Sequence, residues 1–324
     1  MLQKIQRFGG AMFAPAMLFS ISGLMVGISA LATTVDIVGD LAVYGTPWYF
    51  FWTIVQRGSW TVFKRLPLLF AIALPIGLAQ KQPARCCLEA LVAYFAYCFF
   101  LSEIIKISGN NLGLQYPSFL APATGITVID GIKTLDTGII GPLAVSATVV
   151  AIHDRFYDAK VPDWLGTFSG SSLVYLISFF AVFALAAISA AIVPFAYAVT
   201  ETLRHALAGV GPFGVGIFVF LERALEPMGL HHLLYMPIYY DNLVIHDGIY
   251  ATWTNLLPIL SHSTRPLNEL APWAGFTATG WVKLFGLPAI AAAFYFTAKP
   301  ERRAGLKVIL LPAIVASVVC GVTE

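Results

Sequence analysis

The chain has 324 residues, 58% of them hydrophobic and only 11% charged, whereas a soluble domain carries roughly a quarter charged residues. That balance excludes a water-soluble globular protein, and a net charge of +2 with no Lys/Arg-rich run offers nucleic acid nothing to hold. Cys86, Cys87, Cys98 and Cys320 sit in apolar stretches without metal-ligand spacing, so no disulfide framework, metal site or cofactor is expected.

The expected fold is all-α: a polytopic helical bundle of about eight to nine transmembrane segments, some of them broken or re-entrant. Residues 2–12 place Leu2, Ile5, Phe8 and Met12 at helical spacing around Lys4 and Arg7, which predicts an amphipathic interfacial helix. It leads into a first crossing from Ala11 to Leu31, too long for a signal-peptide core and without a cleavage site. Tyr44 to Trp52 reads as an aromatic belt at the interface. Further crossings are predicted near 66–80, 86–102, 138–152, 171–196, 210–222, 284–298 and 308–320. Lys64 and Arg65, abutting the second of these, read as residues that snorkel to the outer surface. Lys133 and Asp136 read as loop charges, and His153, Asp154 and Arg155 as a cytoplasmic loop.

Orientation follows from Lys and Arg in short loops. Lys4/Arg7, Lys81/Arg85, Arg155/Lys160 and the run Lys299, Arg302, Arg303, Lys307 form one set, which places the N-terminus in the cytoplasm. Parity then requires one net outward crossing within 223–283, which contains no clean apolar 20-mer. This stretch carries Arg223, Glu226, His231, His232, Asp241, His246 and Asp247, interrupted by Pro227, Pro237, Pro258 and Pro266. Broken polar backbone at membrane depth is tolerated only inside protein or along a wet cavity. A transporter's binding site is therefore expected here.

Several pieces in order then resemble a known family: Lys-Ile-Gln-Arg-Phe-Gly-Gly-Ala-Met-Phe-Ala-Pro (4–15), Pro-Leu-Leu-Phe-Ala-Ile-Ala-Leu-Pro (67–75), Gly-Ile-Lys-Thr-Leu-Asp-Thr (131–137), Phe-Leu-Glu-Arg (220–223), Gly-Leu-His-His (229–232) and Gly-Val-Thr-Glu (321–324). Together they are similar to the membrane IIC components (permeases) of the bacterial phosphoenolpyruvate-dependent sugar phosphotransferase system. The likeness is to the glucose family, nearest its maltose and α-glucoside members. The family's last motif continues as Gly-Ile-Thr-Glu-Pro-Ile-Glu-Phe into further helices, whereas this sequence stops at Glu324. The resemblance therefore implies a C-terminally truncated permease: an N-terminal scaffold and dimerisation domain over 1–200, then an incomplete sugar-binding domain over 201–324. At 273–281, where maltose-type members carry a His-Gly-Asn-like stretch, this chain has Trp-Ala-Gly-Phe-Thr-Ala-Thr-Gly-Trp.

The resemblance also implies roles. His231, with His232 beside it, would contact the sugar; on the residues alone the pair reads equally as interfacial or hydrogen-bonded structural histidines. Glu324, matched to the family's glutamate, would touch sugar hydroxyls near the phosphoryl-accepting oxygen, and an unpaired carboxylate leaving an apolar run costs ~2.5–3.5 kcal/mol. Glu222 and Arg223 end an apolar run, as a plain helix end or as an ion pair supporting the site, and Arg223 is counted among the sugar-binding candidates. The implied activity is uptake of a glucose-containing sugar, maltose or an α-glucoside, coupled to phosphorylation by the phosphocysteine of a partner IIB domain or subunit absent from this chain. The implied setting is a homodimer in the bacterial inner membrane. Two rivals stay open: an ion-coupled secondary sugar transporter and a non-functional truncated remnant.

Overall fold

The computed structural model describes residues 2–108, 126–210, 212–225, 238–239, 248–271 and 273–320. Almost all of this is helix. The chain packs as two units, one of residues 1–14, 66–210 and 227–248, the other of residues 15–65, 211–226 and 249–324. The first helix, α1 (Leu2–Ala32), runs without interruption through Pro15, so the expected interfacial helix and first crossing are one continuous element.

In the first unit, α4 (Leu66–Leu78), α5 (Pro83–Ser108), α6 (Ile140–Phe156) and α7 (Ser171–Val210) pack against one another. Their shared core includes Ala71, Ala90, Ala93, Tyr94, Tyr97, Cys98, Leu101, Val145, Val149, Val182 and Ala186. Small residues along one face of α5 let neighbouring backbones approach closely, which is how helices associate where lipid offers no hydrophobic driving force. The polar groups in this core are answered locally. Pro75 has no N–H to give the carbonyl of Ala71, and Ser146 Oγ donates to that oxygen instead at 2.7 Å, joining α4 to α6. Tyr97 Oη donates to Ser189 Oγ at 2.8 Å, joining α5 to α7.

Gly77 on α4 is a close-approach position. A Cβ there would lie 2.9 Å from the Cα of Ala11 and closer still to its Cβ. Gly77→Ala is expected to destabilise the protein by ~1–3 kcal/mol, the usual range for overpacking, because backbone rather than a flexible side chain stands in the way. Thermal denaturation of the detergent-solubilised chain measures it, and an unchanged midpoint would refute this contact.

A two-stranded hairpin lies against α5. Strands β1 (Ile126–Ile129) and β2 (Ile132–Leu135) are antiparallel, with Ile129 opposite Ile132. Asp130 and Gly131 form the two-residue turn with φ of 48° and 84°, the left-handed pair that matches strand twist. Asp136, expected as a solvated loop charge, is buried, and its Oδ1 accepts from the Gly138 N–H at 2.9 Å ahead of α6.

In the second unit the aromatic stretch forms a helix rather than a bare belt. Thr46 caps α3 (Pro47–Lys64) by accepting from the Tyr49 N–H at 3.1 Å, with Pro47 at the first helical position. Trp48 Nε1 donates to the Ala32 carbonyl at 2.9 Å, where α1 ends. Helices Leu287–Thr297 and Pro300–Cys320 form a hairpin, and Arg303 closes the first of them by donating to the carbonyls of Phe296 and Ala298 at 2.9 and 3.2 Å. A π turn at Val282–Gly286 feeds that hairpin, and Ser317 Oγ satisfies the Lys283 carbonyl at 2.9 Å.

Among the described residues, three helical stretches are long and apolar enough to cross a bilayer: Pro83–Ile107, Ser171–Ile192 and Ala274–Thr297. Two bent pairs, one of them Ile21–Ala32 with Val35–Ala42 at 68°, bring the number to as many as five. The third stretch starts ten residues before the predicted 284, because a 3₁₀ turn at Ala274–Ala278 and a short α turn at Thr279–Trp281 run into the π turn and the helix that follows. The predicted crossings near 66–80, 138–152 and 210–222 coincide with helices of 13, 17 and 14 residues, too short to pass alone. At 1.5 Å per residue, the 13 residues of α4 reach roughly 20 Å of a ~30 Å hydrocarbon core.

Candidate functional site

Of the residues singled out in the sequence, Arg223 lies within the described structure, whereas His231, His232 and Glu324 lie outside it, as do Glu226, Asp241, His246 and Asp247. Arg223 stands in the last turn of α8 (Pro212–Leu225), and its Nη2 donates to Glu222 Oε1 at 3.0 Å. Glu222 is buried and Arg223 half-buried, so this is more than a solvated helix end. A carboxylate out of water needs such a partner, since an uncompensated charge there carries a large desolvation cost. A guanidinium is a planar fork of N–H donors, a shape suited to a hydroxyl, a carboxylate or a phosphate.

The same helix is held by the stretch that departs from the maltose-type pattern. Residues Ala274–Ala278 form a 3₁₀ turn packed on α8, with Phe218 and Phe276 edge-to-face at 5.5 Å. Gly275 sits where a Cβ would come within 3.1 Å of Val215 Cγ2, and Trp273 meets Trp253 edge-on at 6.1 Å. Residues 273–278 therefore buttress the helix bearing Glu222 and Arg223. Their aromatic character is explained by packing.

A second polar cluster was missed by the sequence reading and lies in the first unit. His153 is no loop residue. It is fully buried in the last full turn of α6, with Nδ1 2.6 Å from Glu89 Oε2 and Nε2 2.7 Å from the Lys81 carbonyl oxygen. Glu89 is 4% exposed and lies one turn along α5 from Cys86, which is itself buried. Around this centre the α4–α5 loop is strapped to the end of α6. The Gln80 N–H donates to Asp154 Oδ1 at 2.8 Å, Lys81 Nζ meets Asp158 Oδ2 at 2.6 Å, and Arg85 Nη1 donates to Tyr157 Oη at 2.8 Å.

Periodicity carried the signal for this cluster. Val145, Val149 and His153 recur every four residues along the buried stripe of α6, and Cys86, Glu89/Ala90, Ala93/Tyr94 and Tyr97/Cys98 do the same on α5. A charged residue on an apolar stripe is read as buried, whatever its neighbours in sequence.

Residues 9–324 match the family model described as "Phosphotransferase system, EIIC". Over its whole length the chain is 44% identical to the "PTS system maltose-specific EIICB component" of Bacillus subtilis and 41% identical to the "PTS system alpha-glucoside-specific EIICB component" of Fusobacterium mortiferum. It spans 62% of the length of each of these relatives. It is 38% identical to the "Phosphotransferase IIC component GlvC" of Escherichia coli, of which it covers 88%.

Proposed function

We propose, from the premise that this chain belongs to the phosphotransferase system EIIC family, that it is the membrane part of a permease coupling uptake of maltose or an α-glucoside to phosphorylation. The observation that carries this reading is the match along the entire chain, near 40% identity, to components named for those sugars. The relatives' names join C and B parts, so the partner is a IIB domain or subunit carrying a phosphocysteine. The protein is a multi-pass protein of the bacterial inner membrane with about eight or nine crossings, its N-terminus in the cytoplasm, and short or bent helices completed by their neighbours. Residues 1–200 act as the scaffold through which two copies associate, and residues 201–324 carry the sugar.

In this reading His231 and His232 contact the sugar. Arg223, steadied by Glu222, places its positive charge at the edge of the pocket. The sugar hydroxyl attacks the phosphorus of the phosphocysteine, the S–P bond breaks, the thiolate leaves, and Glu324 accepts the hydroxyl proton. Phosphoryl transfer depends chiefly on positioning and charge stabilisation, so the permease mainly orients the hydroxyl. A sugar phosphate bears a charge of about −1.5 to −2 at neutral pH and cannot readily recross the bilayer, which makes uptake one-way.

Radiolabelled maltose given to cells expressing the chain with its IIB partner tests this. The label should accumulate as sugar phosphate, and uptake should vanish when the IIB cysteine is replaced. Free maltose accumulating without IIB, driven by an ion gradient, would overturn the proposal.

A further inference from the structure

We propose that Cys86, Glu89 and His153 bind one divalent cation of the Zn²⁺ class at the loop end of the α5–α6 pair. One ligand atom from each residue, the thiol sulfur, a carboxylate oxygen and a ring nitrogen, falls within 4.8 Å of the other two, and all three residues are buried. Glu89 Oε1 is buried with no hydrogen-bond partner among the described residues, which marks a carboxylate with capacity to spare.

The histidine is already turned as a ligand would be. The Lys81 carbonyl oxygen at 2.7 Å can only accept, so Nε2 carries a proton and Nδ1 is the nitrogen presented to Glu89. Histidines that bind metals characteristically donate their other N–H to a carbonyl or carboxylate in this way. The contact between Nδ1 and Glu89 Oε2 at 2.6 Å then needs a bridging cation, which is a proton or a metal.

Charge and size agree with the assignment. A thiolate and a carboxylate balance a 2+ ion, and a neutral imidazole adds nothing, so the loaded site is electrically neutral where a net charge would be costly. Loading displaces two protons, one from Cys86 Sγ and one from the Nδ1–Oε2 bridge. Metal distances of about 2.0–2.3 Å to N, O and S set ligand atoms ~3.3–3.8 Å apart in a tetrahedron. To reach this the Nδ1–Oε2 contact opens by ~0.7 Å, and a pair at the 4.8 Å limit closes by ~1 Å, through side-chain torsions of Glu89 and Cys86, leaving the fourth position to water. Sulfur and imidazole together select Zn²⁺ or Co²⁺ over Mg²⁺ and Ca²⁺. The ion would fasten the α4–α5 loop to the end of α6, joining the straps from Asp154, Asp158 and Tyr157.

The purified full chain in detergent, stripped with chelator and titrated with Co²⁺, tests this assignment. The expected result is one equivalent bound, with a thiolate-to-cobalt charge-transfer band in the near ultraviolet that equimolar Zn²⁺ removes. Cys86→Ala should lose that band, as should Cys86→Ser, which keeps the side-chain volume if the alanine variant does not purify. Cys87→Ala should keep it, because the Cys87 thiol faces the Ile72 carbonyl at 3.6 Å instead. A wild-type titration without the band, or a band that survives in both Cys86 variants, shows that Glu89 and His153 are a proton-bridged structural pair and overturns the assignment.

Discussion

Glu324→Gln is expected to lower phosphorylation-coupled uptake by ~10²–10⁴-fold, the span that removal of a general base produces. Glutamine keeps the side chain's shape and its capacity to accept a hydrogen bond but cannot take the hydroxyl proton. The loss should therefore fall on kcat, with sugar binding largely retained. In the proposed role His231 contacts the sugar before and during transfer, so the effect of His231→Ala should appear in KM as well. His262→Ala is the control, since His262 is exposed and faces Asp36 at 3.6 Å in a surface pair expected to contribute little. Labelled sugar phosphate formed by membrane vesicles with purified phospho-IIB gives both constants. Wild-type kcat in Glu324→Gln would remove the glutamate from the reaction.

The largest expected loss of stability belongs to His153→Ala. Removing one partner of a buried pair leaves the other charge without compensation, at a cost of ~3–5 kcal/mol. In the metal-free protein Glu89 is left stranded: it is 4% exposed, and its second oxygen is already without a hydrogen-bond partner among the described residues. The cavity left by the ring adds to the loss, because His153 packs on Tyr157 with ring centroids 4.7 Å apart. In the double variant Glu89→Gln/His153→Ala the stranded charge is gone, so the two losses should fall short of additivity by ~0.5–3 kcal/mol. Denaturation of the solubilised variants measures the cycle. A His153→Ala protein within ~0.5 kcal/mol of wild type would mean that the ring is solvated, as a loop residue would be.

Much of the fold was legible in the sequence because bilayer chemistry restricts the choice. Apolar runs of adequate length become helices, and α5, α6 and α7 begin within a few residues of their predicted starts. The signals failed where one residue's role depends on a distant partner. Tyr44 to Trp52 read as a belt by composition, yet Thr46 and Pro47 are a helix start, and Trp48 finds its acceptor sixteen residues back at Ala32. His153 looked like a loop residue because Asp154 and Arg155 follow it, although the four-residue spacing from Val149 places it on the buried stripe.

Family, helical class and membrane character are settled by the sequence alone, since each depends on residue order and on hydrophobicity summed over long windows. Which polar groups answer one another was decided only by the tertiary structure. Ser146 meets a carbonyl freed by Pro75, and Glu89 meets an imidazole 64 positions away. Desolvation is the physical reason: a buried polar atom takes whichever partner the packing brings within about 3 Å, and chain order does not record that distance.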